Sequence, residues 1–436
     1  MSAFLFQFRA VNNSHKLNMI LAYLQEVRST DELTLGSSLI FMSVLVFSIL
    51  STSLFQQQPA YGIQTNSNLN ISNNTGDSVY PSIAASGNNT YVVWQDDNFG
   101  EGVSYDRKNY DILFAKSVDG GRSFKNTTNL SDTIAISERP TITAYDNNVY
   151  VIWIENGPNE SNILFRKSTD GGNTFDQAIH LGSSGNAKVP VLPKGFAAFG
   201  DNVYVVWRHL AKDGETGSIL LRASKDAGNT FGEAIKISGN AAFTSSPKVA
   251  TSNNSVYVVW DTMYNEEPAK NEGIFLAKSS DNGLTFGNEK KINGPKEIGK
   301  AQLVAYLNEV YIAWGSSVYE NQQIDDVYLT YSLNGGSTFE DTILLNKDFY
   351  HSANLDLAKT EGRIDAVWQD LINGNGEIFH KRSLNAKPSF IEPARNLSDN
   401  QGFSECPSIA LSGNATYVVW EDNTSGNHEI LFKKVV

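Results

Sequence analysis

The sequence predicts an all-β chain, a seven-bladed β-propeller of four-stranded antiparallel blades whose ring is closed by an N-terminal strand. Three observations carry the prediction. The run YVVW at 91–94 returns as YVIW ending at Trp153, YVVW ending at Trp207 and at Trp260, YIAW ending at Trp314, DAVW ending at Trp368 and YVVW ending at Trp420, which uses all seven tryptophans. Their spacings of 59, 54, 53, 54, 54 and 52 residues mark a repeat architecture, and a short β-branched and aromatic run marks a strand buried on both faces. In four repeats a proline (Pro81, Pro140, Pro247, Pro407) stands thirteen residues before the tryptophan, so a first strand keeps register with a second. Four-stranded units repeated radially make a propeller.

Residues 1–62 precede the first repeat and read as a signal peptide or a membrane anchor, leaving 63–436 as the propeller. The charge-free run at 33–55 is long enough to span a bilayer, although six serines and two threonines weaken it as a spanning helix. Ala60, Tyr61 and Gly62 then resemble a secretory cleavage site. Either reading puts 63–436 outside the cytoplasm, secreted or at the cell surface. Eleven N-x-S/T triplets fit a glycoprotein, and the single Cys406 precludes an internal disulfide. Residues 1–62 carry three charges of each sign, so the net charge of −13 belongs to the repeats. That balance argues against nucleic acid or an anionic membrane surface as partner. Membrane contact is expected only through the N-terminal segment, and a monomer is expected.

Within the first repeat the strands are PSIAA from Pro81, TYVVWQD, DILFAKS from Asp111 and NTTNLS ending at Ser131, joined by turns rich in Gly, Asn and Asp. The last repeat has only three strands of its own. The triplet NIS at 70–72 starts eleven residues before Pro81, as NLS at 129–131 does before Pro140 and NLS at 396–398 before Pro407. The N-terminal segment is therefore expected to supply the missing outer strand of blade 7 and to leave no long free edge.

Between the third and fourth strands lie SVDGGRSF (117–124), STDGGNTF (168–175), SKDAGNTF (224–231) and SSDNGLTF (279–286), all of the form S-x-D-x-G-x-x-F. SLNGGSTF (332–339) has Asn for Asp, the copy from Ser383 keeps little beyond Ser and Phe390, and the seventh repeat has none. This pattern resembles the Asp-box, or BNR repeat, of sialidase-like propellers. Asp119, Asp170, Asp226 and Asp281 are expected to be structural, each carboxylate accepting backbone N–H groups in its turn while Gly supplies a positive φ.

The distance from each tryptophan to the following motif varies from 15 to 23 residues, against 35 to 39 from motif to next tryptophan, so variation concentrates in the loops after the tryptophans. Such loops carry function on a constant scaffold. Strand mapping leaves Arg107, Arg139 and Arg208 on that face, and the resemblance implies three arginines for a substrate carboxylate. SERP at 137–140 departs from the family's (F/Y)RxP, and the family's enzymes normally have six blades. His209, Tyr264, Glu266, Tyr319 and Tyr350 are the further ligand-binding candidates, and no catalytic set is recognisable. Asp96, Glu155, Asp261, Asp370 and Asp422 are the metal candidates, an oxygen ring of the kind calcium takes, with solvated rim charges as the alternative. The resulting expectation is an extracellular or cell-surface binding module for a glycan or protein ligand. An exo-acting glycoside hydrolase of the sialidase type is the alternative, and a surface scaffold the third reading.

Overall fold

The computed structural model describes residues 68–98, 109–131, 133–157, 160–183, 195–210, 217–238, 243–244, 247–263, 273–292, 301–318, 323–346 and 352–435. The segment at 33–55 and the cleavage triplet lie outside them; among the described residues no helix is long and apolar enough to cross a membrane. Seven antiparallel sheets follow one another along the chain, each running from an inner strand outward. Blade 1 is typical, with strands Ser78–Ser86, Asn89–Asp96, Asp111–Ser117 and Lys125–Asn129. Inner strands of successive blades touch all the way round, including blade 7 against blade 1, so the ring is closed.

Every second strand is buried on both faces, as its unbroken apolar run predicts. Its period of two sends alternate residues to opposite neighbours. In blade 1, Val92 and Trp94 pack toward blade 7 against Tyr417 and Val419, whereas Tyr91 and Val93 pack toward blade 2 against Val151 and Trp153. Each hydrophobic cluster therefore belongs to two blades, and all seven tryptophans are at most 2% exposed.

The S-x-D-x-G-x-x-F turns lock these layers from the outside. In blade 3, Asp226 accepts hydrogen bonds from Ser224 Oγ (2.7 Å), the Thr230 amide (2.9 Å) and Thr230 Oγ1 (2.6 Å), while Ser224 Oγ accepts the Gly228 amide (2.8 Å). Asp119, Asp170 and Asp281 make the same set, and Asn334 keeps most of it. The motif glycine has φ near +79°, and a Cβ there would meet the preceding blade's ring, at 2.7 Å from Phe165 Cζ for Gly228 and 2.5 Å from Phe432 Cζ for Gly121. The turns of blades 1, 2 and 3 are thus seated on the Tyr and Phe of the blade before, and those of blades 4 and 5 on its Tyr. Lysines reach across the same seam, with Lys116, Lys278 and Lys434 donating to the carbonyls of Gly171, Gly335 and Gly120.

Blade 7 has no such motif, and blade 6 is altered where that turn would sit. Asp365 replaces the tyrosine and His380 the phenylalanine. The fully buried Asp365 accepts from Arg363 Nε (3.0 Å), Arg382 Nε (3.0 Å) and Thr416 Oγ1 (2.7 Å). Burial opposes its ionisation, but His380, Arg363 and Thr416 outweigh that and hold its carboxyl well below the usual range.

The N-terminal strand closes the ring as expected. Leu69 and Asn70 pair with Phe432 and Leu431, and the Ile71 amide donates to Ile430 O at 2.9 Å. Ser72 Oγ accepts the Ile430 amide and donates to Glu429. The same arrangement recurs at Ser131 with Asp111 and at Ser398 with Glu377, so the N-x-S triplets at 70, 129 and 396 have a structural reason to repeat.

Two expectations follow. Deleting residues 68–74 should cost at least about 3 kcal/mol, combining the partly buried Ile71, a stretch of ladder and the Ser72 bonds; a chemical denaturation curve unchanged in midpoint would contradict the closure. Hydrogen bonds from Thr230 and Ser224 lower the Asp226 carboxyl from 3.8 to about 2. A depressed folded-state value stabilises above the unfolded pKa, and that contribution is lost as pH falls through the folded one. Asp226→Asn should therefore flatten the fall in melting temperature between pH 4 and pH 2, measured by scanning calorimetry against the unmodified chain.

Candidate functional site

The inner strands of blades 1, 2, 6 and 7 break register between Val79 and Ser82, Glu138 and Thr141, Ala353 and Asp356, and Glu405 and Ser408. Within each break one non-glycine residue takes a left-handed backbone: Tyr80 (φ 54°), Arg139 (φ 54°), Asn354 (φ 50°) and Cys406 (φ 52°). Such bulges re-aim side chains and cost strain that the surroundings must offset. At Tyr80 and Arg139 the offset is a hydrogen bond to the preceding blade. The Tyr80 amide donates to Glu421 Oε2 (2.7 Å) and the Arg139 amide to Gln95 Oε1 (2.8 Å). Gln95 and Glu421 each follow a tryptophan, so these residues serve the seams between blades.

Tyr80, Arg139 and Cys406 line a cavity of ≈ 180 Å³ on the ring axis, to which all seven blades contribute. Its polar lining includes Tyr80, Arg139, Lys248, Gln302, Asp356 and Cys406. The Arg139 guanidinium lies 4.8 Å from the Tyr80 ring centroid, a cation–π contact. Burial pushes the Tyr80 phenol above its usual value; Arg139 opposes this, and Cys406, Glu421 and Glu405 add to it. At neutral pH this tyrosine is therefore a protonated donor. Asp356 is held by Ser408 Oγ and the Ile409 amide, both at 3.1 Å, which ties blade 6 to blade 7.

Of the sequence-derived ligand candidates, Arg139, Arg208 and His209 lie among the described residues. Arg139 reaches the cavity. Arg208, on the second strand of blade 3, is half-buried; desolvation lowers its pKa while the charge of Asp261 on blade 4 raises it. It faces the blade 3–4 seam, whereas Arg139 leans on blade 1. His209 Nδ1 lies 3.1 Å from Ser183 O of blade 2. Arg107, Tyr264, Glu266, Tyr319 and Tyr350 lie outside the described residues.

Four of the five metal candidates sit inside the blades, and Glu155 is only partly buried. Asp96, Asp261, Asp370 and Asp422 are at most 2% exposed. Asp96 accepts from Asn74 Nδ2 (2.8 Å), Ser78 Oγ (2.5 Å), Trp94 Nε1 (3.1 Å) and the Asn98 amide (2.9 Å). Asp370 takes Ser352 Oγ (2.5 Å), and Asp422 takes Ser404 Oγ (2.6 Å) and Asn400 Nδ2 (2.7 Å). Burial works against the Asp422 charge, but Ser404, Thr424 and Asn400 prevail and keep its carboxyl below the ordinary range. Glu155 accepts from Thr133 Oγ1 at 3.1 Å. Among the described residues, the group with ligand atoms close enough for one ion is a different one: Glu405, Glu421 and His428.

No family model matches the chain, and no curated protein matches it. Solved structures do. The polysaccharide lyase Uly1 superimposes with a TM-score of 0.52 at 11% identity, covering 87% of this chain and 94% of that one. The shared feature is the propeller. A Trypanosoma rangeli sialidase aligns with a TM-score of 0.48 at 14% identity over 85% of this chain, which spans 57% of that one. The α-L-arabinofuranosidase Arb93A from Fusarium graminearum aligns with a TM-score of 0.48 at 13% identity, over 85% of this chain and 97% of that one.

Bracing by the buried carboxylates has a measurable consequence. Asp96→Ala would strand Ser78 Oγ, Trp94 Nε1 and the Asn98 amide, and should lower stability by about 3 kcal/mol, read from urea denaturation at pH 7.

Proposed function

We propose that the chain is an extracellular or cell-surface propeller, delivered by a signal peptide or anchor at 1–62, that binds an acidic glycan at the mouth of its axial cavity. Its S-x-D-x-G-x-x-F turns are read as Asp-boxes. One observation carries the reading: Arg139 is placed at the cavity by a left-handed bulge whose other occupants are Tyr80, Asn354 and Cys406. The scaffold accepts four different side chains there, so the guanidinium is a choice at the level of the ligand. Stacked on an aromatic ring, it offers a planar fork to a carboxylate, and the ring offers an apolar face to a sugar. That Uly1 is a polysaccharide lyase on a propeller is consistent with a carbohydrate ligand.

Catalysis of the glycoside-hydrolase type is the second reading. It draws on the nearness of Tyr80 to Glu421 and Glu405. A phenol kept protonated by burial suits an acid or a hydrogen-bond donor better than a nucleophile, which favours binding.

The test is retention of the full-length chain on a glycan array containing sialosides and uronic-acid polymers. Arg139→Ala should weaken binding of the retained acidic glycan by about 2 to 5 kcal/mol with the melting temperature held. Equal binding by both proteins would sink the carboxylate site, and turnover of a fluorogenic sialoside would favour the enzyme.

A further inference from the structure

Blade 7 brings together three side chains for which the fold gives no use as a set. Glu405 lies on the inner strand, Glu421 follows Trp420 on the second, and His428 immediately precedes the third. Glu405 and Glu421 are direct partners across the ladder. Like charges placed directly opposite one another destabilise a sheet pair. The ligand atoms of all three residues lie within 4.8 Å of one another. Glu421 is only 4% exposed, and His428 Nδ1 is shielded from solvent with no hydrogen-bond partner.

The other bulged blades show that the scaffold does not require this set. The positions matching Glu405, Glu421 and His428 hold Val79, Gln95 and Tyr110 in blade 1, Glu138, Ile154 and Ser161 in blade 2, and Ala353, Gln369 and Gly376 in blade 6. Only blade 7 of these four joins two carboxylates to an imidazole.

We propose that Glu405, Glu421 and His428 bind a divalent first-row transition ion, with zinc the best fit. Calcium and magnesium take oxygen ligands, so an imidazole in the set selects against them, whereas carboxylate oxygen and imidazole nitrogen are both zinc ligands. Donors at about 2.0–2.2 Å from zinc stand roughly 3.5 Å apart in a tetrahedron, a contraction that rotation of the glutamate side chains supplies. Glu421 accepts the Tyr80 amide on Oε2, and a carboxylate carries lone pairs on both oxygens. Three protein ligands leave one position open. The His428 carbonyl accepts the Ser78 amide (2.8 Å) and its own amide donates to Asp77 Oδ1 (3.0 Å), so the ion would also fasten three strands of blade 7 where blade 1 meets it.

The full-length chain, stripped with EDTA, is titrated with ZnCl₂ in a calorimeter at pH 7.5. One zinc per chain is expected, with affinity at least tenfold weaker in Glu405→Gln and in His428→Gln and unchanged in His180→Gln. Cobalt substitution should give visible d–d absorption that His428→Gln abolishes. If His428→Gln proves unfolded in EDTA melts, Glu405→Gln decides with the same two readouts. Absence of zinc binding, or binding and a cobalt spectrum indifferent to these substitutions, overturns the proposal.

Discussion

Double-sided burial of the second strand is the constraint on which the rest of this structure depends. Tyr91, Val92, Val93 and Trp94 are all fully buried, yet they face two different blades. No blade can therefore cover its own core. Each requires a neighbour on both sides, and a row of such units is complete only when it closes on itself. Ring closure by 69–70 is in this sense a requirement of the YVVW run, because an unpaired edge in blade 7 would leave both a ladder and a buried layer open.

Seams between blades are fixed by small polar devices that cannot act until the layers are in place. The turn glycines fit only beneath the preceding aromatic rings, and the lysines find their carbonyls only across the seam. Where blade 7 lacks the turn, the buried Asp365 with Arg363, Arg382, His380 and Thr416 occupies the equivalent place. A charge cluster of this kind holds because Asp365 is paired with Arg363 and Arg382, and removing the carboxylate would leave the buried Arg363 uncompensated.

Irregularity is concentrated where the ring opens to its axis. Four inner strands depart from regular pairing within two residues of the same position, and three of these departures place a side chain, Tyr80, Arg139 or Cys406, at the cavity. Repeats impose the same bulged backbone on Tyr80, Arg139, Asn354 and Cys406, so the scaffold does not dictate which side chain stands there.

The sequence by itself determined the number of blades, the four strands of each, the two-faced burial of the tryptophan strand, the turn chemistry of Asp119, Asp170, Asp226 and Asp281, and the closure by the N-terminal strand. These are properties of local pattern, since period-two burial and turn geometry are written in adjacent residues and then repeated. Where individual polar side chains point was decided only by the tertiary structure. Asp96, Asp370 and Asp422 read as calcium ligands or solvated rim charges but are drawn inward by serines eighteen residues earlier. Arg208 read as a partner of Arg139 but neighbours Asp261. Tyr80, Arg139 and Cys406 each stand directly before the in-register proline, so spacing alone marks their shared position near the channel, whereas the bulge that opens it to the cavity and the meeting of Glu405, Glu421 and His428 depend on pairing across strands and blades.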